Sequence, residues 1–109
     1  MPHQITITDV AISHLRALSA RDRRVVEAAI VTKLADQPTT VTKAVRRLRP
    51  NPCAEYELRV GRIRVLYNVA VDRSEVILLL IGVKSGNTLI VEGEEFHGHR
   101  SDPRQSPAE

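Results

Sequence analysis

Cysteine, tryptophan and long apolar runs are what this chain lacks. Its one cysteine, Cys53, excludes an internal disulfide and fits a reducing, cytoplasmic compartment. Tryptophan is absent and aromatics make up 3% of the 109 residues, so Val, Leu, Ile and Ala must fill the core. No apolar run reaches the roughly 20 residues that a membrane-spanning helix needs, so no membrane partner is expected. The opening Met1, Pro2, His3 and Gln4 do not form a basic flank leading into an apolar stretch, so no secretory signal is expected. A Gly-rich phosphate loop, a Ser/His/Asp arrangement and zinc-ligand spacing are all missing. No metal or cofactor is expected.

What is present suits one compact domain over residues 1–96, followed by a polar, Pro-containing, flexible tail over 97–109. Apolar residues make up 42% of the chain, enough for a core. The net charge is +3 and the isoelectric point about 9.5, so the placement of cations matters more than their sum.

Residues 4–8 alternate polar and β-branched side chains and predict a strand with Ile5 and Ile7 on one face. Thr8 or Asp9 caps the helix that follows, whose apolar stripe is Ala11, Ile12, Leu15 and Leu18. Ser19, with Asp22 three places on, starts a second helix running to Leu34. Its predicted buried stripe is Val25, Val26, Ala29, Ile30 and Leu34. Helices joined this tightly form an antiparallel hairpin. His14, off the Leu15 stripe, is expected on the surface.

Residues 43–52 hold Lys43, Arg46, Arg47 and Arg49 and no acid, and read as a basic loop kept extended by Pro50 and Pro52. Leu48 is expected to anchor it. Two alternating runs then flank Gly61, which with Arg62 makes a hairpin turn. That turn sets Val60 opposite Ile63, Arg59 opposite Arg64 and Leu58 opposite Val65. Period two puts Tyr56, Leu58, Val60, Ile63, Val65, Tyr67 and Val69 on the helix face. Glu55, Glu57, Arg59, Arg64, Leu66 and Asn68 take the other. Residues 75–84 are apolar on both parities and predict a central strand covered on both sides. A turn at Gly86-Asn87 leads to a last edge strand within 88–96.

Like charges directly opposed in a sheet are unfavourable by tenths of a kcal/mol, to an order of magnitude. Glu55 and Glu57 could neutralise Arg59 and Arg64 as a surface network. A phosphate could do so instead, and the cations nearby favour that: Arg62, Arg46, Arg47, Arg49 and Lys43. Arginine is the better phosphate fork because its donors are planar and bidentate. Lys84 is either a solvated strand end or a further cation at the rim. His97 and His99 are too few to fix a metal, Cys53 is a small half-buried side chain, and Glu92, Glu94 and Glu95 form a solvated acidic end.

The wording LRVGRIRVLYNV, then VILLLIGVKSGN, resembles the RelE/ParE superfamily of toxins from bacterial type II toxin–antitoxin systems. The likeness runs to about Phe96. It is most specific in L-R-x-G-x-x-R-V-x-Y from Leu58 to Tyr67 and in Gly82-Val83-Lys84. RPNP before the hairpin and GEEF at the end are similar to a RelE-like branch. The resemblance implies an α+β fold: an N-terminal strand, a two-helix hairpin, then three to four antiparallel strands in one sheet with the helices on one face. RelE-type members cut mRNA on the ribosome, ParE-type members poison DNA gyrase, and both are neutralised by a cognate antitoxin. Arg64, Arg59 and Lys84 fall on basic positions of the RelE pattern. Two lysines of that pattern fall on Glu55 and Glu57, and a tyrosine falls at about Ile90.

The expected function is therefore an mRNA endoribonuclease toxin acting without a metal, in a hetero-oligomer with its antitoxin. Arg64, Arg59, Lys84 and Glu57 are the expected catalytic groups, with Glu57 as base by strand parity. Lys43, Arg46, Arg47, Arg49 and Arg62 would bind RNA. The alternatives are a gyrase inhibitor of ParE type and an inactive relative that only binds an antitoxin.

Overall fold

The computed structural model describes residues 2–96. In chain order these form β1 (Gln4–Ile7), α1 (Asp9–Arg16), α2 (Ala20–Leu34), β2 (Val45–Arg47), β3 (Tyr56–Val60), β4 (Ile63–Ala70), a short 3₁₀ turn (Val71–Arg73), β5 (Glu75–Ser85), β6 (Thr88–Val91) and β7 (Glu94–Phe96). All the strands join one sheet, ordered β2-β3-β4-β5-β6-β7, with β1 parallel to β5. The fold is α+β, with both helices packed on one face. The expected flexible tail and the His97/His99 pair lie outside the described residues.

Both helix starts follow from hydroxyl caps. Thr8 Oγ1 accepts from Ala11 N–H at 3.2 Å and donates to the Leu78 carbonyl at 2.9 Å, so one side chain starts α1 and ties it to β5. Ser19 Oγ accepts from Asp22 N–H at 3.1 Å and starts α2. Ala11, Leu15, Val26, Ile30 and Leu34 point down onto Leu58, Val65, Tyr67, Val76, Leu78 and Ile81. Val25, predicted to be buried, is 48% exposed. At the first turns of α2 the buried stripe is narrow and begins at Val26.

The β3–β4 register is the predicted one at Val60↔Ile63, Arg59↔Arg64 and Leu58↔Val65, and it continues to Tyr56↔Tyr67. Gly61 takes φ +60°, as the first turn position requires. Residues 45–47, read as loop, are a strand because Val45 is buried opposite Leu58 and Arg46 pairs with Glu57. A three-residue strand is too short for its alternation to show. The last segment is two strands, β6 and β7, joined at Glu92-Gly93, where both residues take positive φ.

β5 is central, as its composition predicts. β4 lies along one edge; on the other, β1 pairs with residues 75–78 and β6 with 83–85. The β4–β5 register slips between Leu66 and Tyr67, leaving Leu79 as an extra residue. On the far face Leu66, Leu89 and Ala54 form a second apolar cluster with Leu48, Leu79, Leu80, Val91 and Phe96. Gly82 allows β6 to close over that face. A Cβ there would lie 2.8 Å from the Ile90 carbonyl oxygen and 2.9 Å from a Val91 methyl.

His14 is buried, not on the surface. It faces the edge of β5 between β1 and β6, where, among the described residues, 79–82 have no strand neighbour on that side. Its Nδ1 accepts the Ile81 N–H at 3.2 Å, so the imidazole takes the place of a missing strand. Helix periodicity cannot reveal a gap left by distant strands.

Two tests follow from this packing. Gly82→Ala is expected to cost about 1–3 kcal/mol in urea denaturation, since the obstructing atom is backbone; an unchanged midpoint would show that β6 is not held this closely. Burial pushes the His14 pKa below its ordinary 6.5, with the Glu92 carboxylate pulling the other way. The folded chain therefore binds this proton less readily than the unfolded chain. His14 contributes its full stabilisation above pH 6.5 and loses it as pH falls toward the depressed folded value, by at most about 1.4 kcal/mol per unit. His14→Gln, which keeps an acceptor and does not titrate, should lack this component of the pH–stability profile.

Candidate functional site

The far face of the β3–β4 hairpin carries the site. Alternation sends Glu57 and Arg59 from β3, and Arg64 and Leu66 from β4, to the side away from the helices. Arg59 and Arg64 are direct cross-strand partners, so both side chains rise from one side of the sheet. Arg46 joins them from β2 as the partner of Glu57.

Glu57 is the one buried carboxylate among the described residues. Its Oε1 lies 3.5 Å from Arg59 Nε, the long end of an ion pair. The Arg59 side chain is 34% exposed and that of Glu57 10%, so the carboxylate is the floor and the guanidinium the lip. Arg64 folds back on its own turn. Its Nη1 donates to the Gly61 carbonyl at 2.7 Å and the Ile63 carbonyl at 3.0 Å. Its Nε is shielded from water and has no acceptor. Burial pushes the Arg64 pKa down; Glu57 counters this, and Arg59 and Arg46 add to it. Such a lowering leaves arginine charged at neutral pH. The arrangement is a group of guanidiniums gathered over one carboxylate, with an N–H donor unanswered.

The neighbouring residues divide. Gly82 pairs with Arg64 and adds no side chain, and Lys84, two residues on, shares the far-face parity. The Lys84 N–H donates to the Arg62 carbonyl at 2.6 Å, which fastens the strand end to the exposed hairpin turn. Lys43, Arg46, Arg47 and Arg59, with Val41 and Thr42, line a cleft of about 620 Å³ along the outer edge of β2.

Two predicted cations differ from Arg46. Arg47 has the opposite parity from Arg46, and its guanidinium lies 5.2 Å from the centre of the Tyr56 ring. Its Nη1 donates to Tyr56 Oη at 3.0 Å, and Tyr56 in turn stacks on Tyr67 at 5.5 Å. Tyr67, fully buried, donates to the Pro38 carbonyl at 2.5 Å. Arg49 is exposed in the β2–β3 loop, which Asn51 organises by accepting from the Cys53 and Ala54 amides and donating to the Arg49 and Ala54 carbonyls. Sequence spacing treats Arg46 and Arg47 alike; only the existence of β2 separates them.

The chain matches no family model and no curated protein sequence. Solved structures do match its fold. The toxin–antitoxin complex RelBE2 from Mycobacterium tuberculosis gives a TM-score of 0.68 at 21% identity, over 77% of this chain and 93% of that one. The archaeal RelE–RelB complex from Pyrococcus horikoshii gives 0.64 at 20% identity, over 79% and 99%. A doubly substituted Escherichia coli RelE toxin in the free state gives 0.59 at 19%, over 76% and 84%. The chain has the fold of RelE toxins.

The split between the β2 arginines yields a test. For a fluorescent single-stranded RNA, Arg46→Ala should reduce the salt dependence of binding by about 0.7 for each phosphate it no longer neutralises. Arg47→Ala should lower that slope less and lower thermal stability as well, because Tyr56 then has no guanidinium above its ring. Equal effects on the slope would remove the distinction between the two faces.

Proposed function

We propose that this chain is the toxin of a type II toxin–antitoxin module and that it cuts mRNA. The observation that carries the proposal is the opposition of Arg59 and Arg64 on one sheet face, gathered with Arg46 over Glu57, with the Arg64 Nε lacking an acceptor. A phosphate oxygen supplies that acceptor once the Arg64 side chain swings off its own turn. The fold likeness to RelE toxins supports the same assignment, and two of the similar structures are complexes with an antitoxin. A cognate antitoxin is accordingly the proposed partner, in a hetero-oligomer, and the cytoplasm the proposed compartment. Among the described residues no helix is long and apolar enough to cross a membrane.

The proposed reaction is intramolecular transesterification. The ribose 2′-oxygen attacks the adjacent phosphorus, the 2′-O–P bond forms and the P–O5′ bond breaks. The products are a 2′,3′-cyclic phosphate and a 5′-hydroxyl. Arg59 and Arg64 hold the non-bridging oxygens, whose negative charge grows in the transition state. Glu57 takes the 2′-hydroxyl proton. Lys84, at the rim, gives the leaving 5′-oxygen its proton. Arg46, Lys43 and Arg62 guide flanking phosphates. No step requires a metal ion.

Purified protein should cut single-stranded RNA in the presence of EDTA, with or without ribosomes, leaving cyclic phosphate ends. Arg64→Ala is expected to slow cleavage by about 10²–10³-fold, the usual cost of removing one oxyanion donor. Glu57→Gln should slow it while leaving RNA binding in place. Cleavage by Glu57→Gln at the wild-type rate would remove the base assignment. No cleavage in either arm, with gyrase inhibited instead, would replace the nuclease by the ParE-type activity; no effect on either would leave an antitoxin-binding protein.

A further inference from the structure

A second cleft lies on the opposite, helix-bearing face, between the end of α1 and β6. Its volume is about 380 Å³, and Ala17, Leu18, Ile81, Val83 and Ile90 give it aliphatic walls. Two polar groups enter it, His14 and Glu92.

The tautomer of His14 follows from its one hydrogen bond. Nδ1 accepts from Ile81 N–H, so in the neutral ring the proton sits on Nε2. His14 is 8% exposed. Nε2 has no protein acceptor among the described residues, yet it is not one of the partnerless atoms sealed from solvent. His14 lines the cleft, so this N–H is the donor that the ring brings there. Glu92 stands on the other wall, at the exposed β6–β7 turn, with one carboxylate oxygen accepting from the Ser13 hydroxyl. The cleft thus presents an apolar seat, one buried N–H and one carboxylate.

We infer that this cleft docks a segment of a partner polypeptide carrying an aliphatic residue next to a lysine or arginine. The aliphatic side chain fills the space between Leu18 and Ile90. A backbone carbonyl of the segment accepts from His14 Nε2, and the cation meets Glu92. A phosphate is excluded as occupant by the carboxylate, and an acidic segment by the same charge. The site is independent of the arginine group, which faces the other side of the sheet.

The test uses the full chain and the tetrapeptide acetyl-Gly-Leu-Lys-Gly-amide, followed by NMR of the His14 ring and the Leu18 and Ile90 methyls. Saturable shifts confined to those groups are expected. Replacing the peptide leucine by serine should weaken binding at least tenfold, and replacing its lysine by glutamate at least fivefold. Glu92→Gln, an exposed substitution that leaves the core intact, should abolish the preference for lysine over glutamate. Absence of saturable shifts at millimolar peptide would overturn the proposal, as would shifts centred on Arg59 and Arg64 or indifference to the leucine. Shifts of the same groups on raising protein concentration alone would also overturn it, because the occupant would then be a second copy of the chain.

Discussion

Like charges facing each other across a β-hairpin are the constraint around which this molecule is arranged. Arg59 and Arg64 cannot avoid one another, because the Gly61-Arg62 turn fixes the register and the apolar face fixes the side. The structure answers the repulsion in two ways, neither of them complete. Glu57 sits buried beneath the group, at a separation long for an ion pair. Arg64 turns its Nη1 onto the Gly61 and Ile63 carbonyls while its Nε goes without. A buried donor left unpaired costs roughly 1–3 kcal/mol. A fold that tolerates this beside two further guanidiniums is poised for an anion.

The rest of the architecture holds that hairpin still. β5 backs it along its whole length and is itself covered on both faces, by α1 and α2 on one side and by the Leu66–Leu89 cluster on the other. Gly82 is the pivot of this arrangement. It stands beside Arg64 and lets the β6 backbone approach where any Cβ would collide. One glycine thus places the closure of the sheet directly beside the candidate site.

Much of this was legible in the sequence, for a physical reason. A two-residue turn with a glycine, flanked by strict alternation, leaves one register and one assignment of faces, so the Arg59–Arg64 opposition could be read without coordinates. The hydroxyl caps at Thr8 and Ser19 were equally local. What escaped depended on partners far along the chain. β2 is too short to alternate visibly, so Arg46 and Arg47 read as equals although they face opposite ways. The parallel pairing of β1 joins residues some seventy apart and opens the gap that His14 fills. Nothing in the helical stripe of α1 records that gap. Val25 continues the apolar pattern of α2 beyond the stretch that meets the sheet.

RNA cleavage by this chain requires that Arg59 and Arg64 grip the same phosphate. The direct measurement is a titration of guanidinium Nε–H resonances with a non-cleavable 2′-O-methyl RNA dinucleotide. The Arg59 and Arg64 signals should move together along one saturation curve, the Arg64 signal toward a hydrogen-bonded shift. If only one of them responds, or each saturates at its own concentration, the two side chains serve separate ligands and there is no shared anion site.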